Sequence, residues 1–344
     1  MGSIFKYSGL TTKVRAMRAK LITKEQYKKL AQMSSVAELI EQIRSHGSYE
    51  VLFEGRDPAY IHRGEFEKLM ICSKYMDFEK IYRFASASQR PYLKLYFIKY
   101  EIDIIKKAIL HLENPEHREL YSDFDKIVGK YPDIDIAKVC SATTMDEIIE
   151  GLQGSIFYDT MQLVRKYVNP TDFDYEVALD LFFFRYVWKK RKRLFRGDEL
   201  ESISKNYGIE ADTLNIMWIH RTKLYYKLSK EQIYSMIIPV YYKLKKSHII
   251  QLVEAENEDE FWKVVELTSY GKKLHREDYA KGNIGKYFEE YLSRCYHKLF
   301  RDNPYSVSAI TAYLKDKETE IKKLVTVAES IRYGFSAEDI IKQL

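Results

Sequence analysis

A metal centre needs His, Cys or carboxylate side chains gathered around one ion, and no such spacing occurs in this sequence. The 8 histidines are scattered, and His111 and His117 stand six apart, which is neither i+3 nor i+4 on a helix. The 3 cysteines, Cys72, Cys140 and Cys295, are far apart, odd in number and form no C-x-x-C pair. That pattern predicts free thiols in a reducing compartment. A phosphate-cradling loop needs G-x-x-x-x-G-K-[ST]. The nearest approach, Gly282-Asn-Ile-Gly285-Lys286-Tyr287, has the wrong spacing and lacks the Ser or Thr. No G-x-S-x-G elbow occurs, and no cysteine has a motif-like histidine beside it. The chain therefore reads as a non-enzyme with no cofactor and no metal.

What remains is the chemistry of contact. Asp103, Asp212 and Glu320 each open an apolar run, with Lys106, Asn215 and Lys323 three residues on, and Arg221 follows the second of them. Asp103, Asp212, Asn215, Arg221 and Glu320 are candidates to touch a partner; the competing reading is that the acids cap or brace helices within their own domains. A basic run, Trp188-Lys189-Lys190-Arg191-Lys-Arg193-Leu-Phe-Arg196, could meet acidic protein loops, lipid head groups or nucleic acid. Its plain alternative is a solvated helix face at the end of an apolar segment. An excess of +6 over 344 residues is too small for a nucleic-acid footprint, but agrees with an acidic partner or an anionic membrane face.

The elements that would carry these residues recur. Ser35-Val-Ala-Glu38-Leu39-Ile40-Glu-Gln-Ile43 is followed by Ser48-Tyr49. Thr144-Met-Asp-Glu147-Ile148-Ile149-Glu-Gly-Leu152 is followed by Phe157-Tyr158, and Asn257-Glu-Asp-Glu260-Phe261-Trp262-Lys-Val-Val265 by Ser269-Tyr270. Each copy has an N-cap residue with glutamate three later, the capping-box spacing, then an apolar pair at helical phase and a closing aromatic. The apolar pairs lie 109 and 113 residues apart, and each is followed by its acid-led run after 64, 64 and 59 residues. Three such copies predict an internal repeat, with domains at 13–121, 122–229 and 230–344. The joints are not Gly/Ser-rich, so the domains should pack together.

Gly 14 and Pro 7 are few for this length, and nothing reads as a sustained strand. The fold class expected is all-α, three similar helical domains in tandem. Asn303-Pro304 reads as a helix start, running on through Tyr313 to Glu320. Gly334 reads as a stop, and Ser336 as the cap of a last helix over 337–344. Tyr49, Tyr158 and Tyr270 should pack their rings at joints between helices. The greasiest stretch, Leu181-Phe-Phe-Phe, is cut by Arg185, so no segment is long enough to span a bilayer and a soluble protein is expected.

Several of these features together resemble a known family. They are Val14-Arg15-Ala-Met-Arg18 near the start, the repeated apolar helices ending in an aromatic, Asp212-x-x-Asn215 with Arg221, and above all Asn303-Pro-Tyr-Ser with Ala312-Tyr313-Leu and Lys317-Glu-Thr-Glu320-Ile-Lys-Lys. Over essentially the whole chain the sequence is similar to the C subunit of prokaryotic V-type and archaeal A-type ATPases, which in eukaryotes is named d. It departs from the family pattern at Lys322 and Lys323, where arginine and asparagine are common, and at Lys106, where asparagine is often found; Asn215 keeps that residue. The resemblance implies a funnel of three helical domains about a pseudo-threefold axis, on the cytoplasmic face of a membrane rotor ring. It implies a non-catalytic part that joins the central shaft to the proteolipid ring during proton or sodium transport, with the membrane stator subunit a further neighbour. Membrane contact would come only through protein partners, without nucleic acid. Asp103, Asp212, Asn215, Arg221, Glu320, Lys189, Lys190 and Arg191 become candidate shaft or ring contacts. A helical-repeat binding scaffold for protein or nucleic acid is the alternative function.

Overall fold

The computed structural model describes residues 2–46, 49–113, 131–273 and 284–344. Ser48, His117, Gly282 and the junction at 121/122 fall outside the described residues. Every regular element among the described residues is helical, in agreement with the all-α expectation. The chain divides into two compact units, Met1–Gln153 with Ala312–Leu344, and Gly154–Thr311.

The first unit holds α1 (Gly2–Arg18), α2 (Lys24–Leu30), α3 (Val36–Arg44), two short 3-10 turns, α4 (Arg63–Phe84), α5 (Arg90–Glu113), α6 (Ile136–Ser141) and α7 (Met145–Gly151). The second holds α8 (Tyr158–Arg165), α9 (Asp172–Leu194), α10 (Gly197–Leu224), α11 (Lys230–Ser235), α12 (Lys246–Glu254), α13 (Glu258–Leu267) and α14 (Ile284–Asp302). From residue 312 on, α15 (Val307–Arg332) belongs to the first unit, as does α16 (Ala337–Gln343).

The three repeated helices are α3, α7 and α13. All are too short to persist alone in water, so caps and burial must hold them. Ser35, Thr144 and Asn257 each accept the N3 amide, at 3.2, 3.2 and 2.9 Å. The glutamates depart from the capping-box expectation in one respect. Glu38, Glu147 and Glu260 accept the amide of Ser34, Thr143 and Glu256, the residue before the cap, at 2.8, 2.6 and 2.8 Å. The same one-residue displacement in all three copies means that the chain enters each helix along the same path. The apolar pairs Leu39/Ile40, Ile148/Ile149 and Phe261/Trp262 are all buried, as are Ile43, Leu152 and Val265 one turn on.

In the second copy the buried aromatic is Phe157, not Tyr158. Tyr49, Phe157 and Tyr270 are fully buried, whereas Tyr158 begins α8 with its hydroxyl accepting from Gln162. Gly271 follows the third of these rings so closely on α13 that a Cβ would lie 2.1 Å from the Val265 carbonyl oxygen.

α15 starts at Val307, later than the Asn303-Pro304 expected, because Ser306 Oγ takes the Ser308 amide and sets the first turn there. Its end matches expectation. Gly334 sits at φ +72°, with its amide on Ile331 O and that of Phe335 on Ser330 O, the double bond of a Schellman stop. Ser336 then caps α16 by accepting from Asp339.

The core of the second unit gathers Ile216 and Ile219 of α10, Leu252 and Val253 of α12, Phe261 and Val265 of α13, and Phe288 of α14. In the first unit, Tyr75, Phe78, Phe97, Tyr100 and Tyr131 meet edge to face or tilted. Such ring contacts pack tightly and add to the area term.

Candidate functional site

Three buried carboxylates organise the molecule, one on each long helix that follows a repeated short helix. Each accepts a backbone amide from the chain just before another short helix, and these amides lie far away in sequence. Glu101 on α5 takes the amide of Asp133 at 2.5 Å and is also hydrogen-bonded by the backbone of Ile134. Asp212 on α10 takes the amides of Tyr242, Lys243 and Leu244 at 3.2, 2.6 and 2.8 Å. Glu320 on α15 takes the amide of Ile22 at 2.6 Å. Ile134, Leu244 and Ile22 each stand immediately before the N-cap of a short helix, α6, α12 and α2. The equivalence of the three sites is therefore set by geometry.

Asp103, the first acid of the sequence pattern, is not one of these three. Asp103 lies two residues past Glu101, with a side chain 41% exposed and paired with Lys74 at 3.1 Å. Lys74 also lies 4.2 Å from the centre of the Tyr100 ring, so its charge has both an acid and an aromatic face.

The partners of the three carboxylates differ. Tyr49 donates its hydroxyl to Glu320 at 2.5 Å, and Tyr270 donates to Asp212 at 2.6 Å. Both phenols are held far above their ordinary range, first by burial and then by the neighbouring carboxylate. Lys317 adds a cation beside Glu320, donating to it at 2.9 Å and to the Tyr49 hydroxyl at 2.7 Å. Its ammonium is also 3.7 Å from Asp77, which accepts the Tyr313 hydroxyl at 2.6 Å. In the second copy the aromatic position is Phe157, which has no hydroxyl to give. Glu101 is buried, and desolvation pushes its carboxyl up to about 8 from an ordinary 4.5.

A raised carboxyl makes the fold bind more protons than the unfolded chain between about pH 4.5 and 8. Stability from this group is fully present below that window and lost as pH rises through it. Glu101→Gln keeps an oxygen for the Asp133 amide and removes the proton exchange. It is expected to flatten the pH dependence and to stabilise the protein at pH 8 by roughly 2 kcal/mol. Urea unfolding at both ends of the window measures it; an unchanged slope would count against the assignment.

Asn215, one turn beyond Asp212, clamps Ile238 from both sides. It donates to the Ile238 carbonyl at 3.0 Å and accepts its amide at 2.8 Å. Asp212, Asn215 and Glu320 are thus buried and fully engaged inside their units.

The remaining candidates divide. Arg221 is exposed on α10 and lines a cavity of about 420 Å³ with Phe173, Val177, Asp180, Trp218 and Met236. Lys189 is exposed and Lys190 half-buried, its ammonium 5.2 Å from the Tyr186 ring. Arg191 points inward: it is 7% exposed, its guanidinium lies 3.2 Å from the Trp188 ring centre, and it donates to Ser204 at 3.0 Å. Helical phase could have shown this, since Phe183, Val187 and Arg191 follow at four-residue steps on the buried face of α9.

Glu101 is not among the residues that the sequence patterns single out, and Lys317 enters them only as part of the C-terminal motif, not as a candidate contact. Lys317 falls on the apolar stripe of α15 between Leu314 and Ile321, with an acid three residues on. A cation on such a stripe with an acid one turn away is a recognisable sign of a buried pair.

The sequence matches a family model described as ATP synthase (C/AC39) subunit over residues 10–343. The chain belongs to this family. Curated relatives of similar length agree. A protein of Methanosphaera stadtmanae, named as the C subunit of an A-type ATP synthase, is 23% identical, covering 99% of this chain and 88% of the relative. One of the same name from Thermococcus kodakarensis is 23% identical over 98% and 89% of the two chains. A third, from Thermococcus gammatolerans, is 26% identical over 97% and 88%. Membership makes the chain a subunit of a rotary ATPase complex. Among the described residues no helix is long and apolar enough to cross a membrane.

Proposed function

We propose that the chain is a non-catalytic rotor subunit of a V-type or A-type ATPase, coupling the central shaft to the proteolipid ring on the cytoplasmic face of the membrane. The observation that carries this reading is the set of three buried acids. Taken with the repeats at 13–121, 122–229 and 230–344, Glu101 joins the first to the second, Asp212 the second to the third, and Glu320 the third back to the first. Three equivalent ties fit three similar parts, as the pseudo-threefold funnel expected of the family would have. A part that transmits torque has to resist shear between its repeats, and buried hydrogen bonds do this because breaking one strands a buried polar group.

In this mechanism the work is mechanical. The acids are interior braces, so the partner contacts fall to groups at the surface: the exposed Arg221 and Lys189 and the half-buried Lys190, toward the shaft, the ring or the neighbouring stator subunit. The transported ion, proton or sodium, is bound elsewhere in the complex.

Native mass spectrometry of the tagged chain, drawn gently from its own membranes, tests the proposal. The expected result is co-release with a small, very hydrophobic protein in many copies and a coiled-coil shaft protein. Release alone, or with nucleic acid, would favour a general binding scaffold and end the rotor reading.

A further inference from the structure

The basic run at the end of α9 carries more charge than the proposed coupling role uses. With Arg191 turned inward, the outward cations are Arg185, Lys189, Lys192, Arg193 and Arg196, all exposed. At 100° per residue the first four fall within an arc of about 100° and extend roughly 12 Å along the helix. Arg196 follows just past the helix end. No acid occurs in the sequence between Asp180 and Asp198. Among the described residues no ion pair joins any of the five to another side chain; Arg185 and Arg196 donate only to backbone carbonyls, those of Leu181 and Phe195 among them. Leu194, nearly half exposed, lies beside the cations at the end of the helix.

We propose that this stripe binds the anionic head groups of a lipid bilayer. A specific acidic protein partner is normally met by charges of both signs arranged to fix register. Here the row has one sign only, stands on a convex helix and has no acid beside it. Long basic side chains with an exposed leucine among them suit a surface of diffuse negative charge, where the stems lie along the interface and the heads reach phosphate. Attraction of this kind amounts to a factor of about five per cation and is screened by salt. It gives a reversible contact that would add to any attachment made through protein. The inference stands apart from the rotor reading, because a vesicle contains no ring and no shaft.

The test is sedimentation of the full chain with sucrose-loaded vesicles, either phosphatidylcholine alone or an equal mixture with phosphatidylglycerol. Binding is expected only to the mixture and is expected to fall as salt is raised. The triple variant Lys189→Gln, Lys192→Gln, Arg193→Gln should bind about 100-fold more weakly. A control variant with the same charge loss at exposed sites elsewhere, Lys166→Gln, Lys246→Gln, Lys263→Gln, should bind like the parent. Equal binding to neutral vesicles, or equal loss in both variants, would overturn the proposal. So would a chain that ignores both vesicles while its stripe binds RNA or an acidic polypeptide.

Discussion

Lys317→Met is expected to lower the unfolding free energy by about 3–5 kcal/mol, the cost of leaving buried charge without its partner. Lys317 is completely buried and lies 2.9 Å from Glu320, 2.7 Å from the Tyr49 hydroxyl and 3.7 Å from Asp77. Methionine keeps the length and apolar stem of the side chain while removing the cation, so the loss is electrostatic rather than a cavity. The consequences fall on both ends of the chain, since Glu320 also holds the Ile22 amide and Asp77 holds Tyr313. Hydrogen exchange should rise first in α2, around Tyr49 and in the middle of α15. The double variant Lys317→Met, Glu320→Gln is expected to recover part of the loss, because it removes a carboxylate along with the cation. A single variant as stable as the parent would mean that the cluster is held by packing alone.

The local part of this architecture is legible in the sequence. Caps, apolar pairs and the Gly334 stop depend on residues within a few positions of one another, and the structure keeps all of them. The glutamates of the repeated helices are recognisable as capping residues, but the amide they take lies one residue earlier than in the usual box. The acids on the long helices are harder. Pattern finds Asp212 and Glu320, yet points to Asp103 in place of Glu101, because both lie on α5 and only the distant amide of Asp133 separates them. No local spacing encodes a partner 32 residues away. Arg191 is hidden in a basic run for a different reason: charge composition suggests surface, although its phase with Val187 puts it on the buried face. Function is legible chiefly through family likeness, since buried braces such as Glu101 and Asp212 look like ordinary polar residues in the sequence.

Asp212→Ala is expected to be the most damaging change in the second unit, at about 3–5 kcal/mol, since each buried donor left without a partner costs about 1–3 kcal/mol. Oδ2 of Asp212 accepts from Lys243, Leu244 and the Tyr270 hydroxyl, and Oδ1 accepts from Tyr242. Alanine strands these donors together and frees the segment that leads into α12. Asp212→Asn is a different case. Turned so that its oxygen replaces Oδ2, the amide keeps three of the four bonds and sets its NH2 against the Tyr242 amide, the longest contact at 3.2 Å. Burial also raises the Asp212 carboxyl above its ordinary range, so its stabilising contribution is full at low pH and falls as pH rises through the raised value. Asparagine has no such loss, and the gap between Asp212→Asn and the parent should therefore narrow from acid toward neutral pH. Tyr270→Phe, which imitates the residue that the second repeat carries at Phe157, should cost about 1 kcal/mol. Thermal unfolding of the three variants, read with hydrogen exchange over residues 238–254, separates these outcomes. If alanine and asparagine prove equally damaging at neutral pH, the carboxylate charge is essential to the brace; if neither matters, the entry to α12 is held by the Asn215 clamp on Ile238 instead.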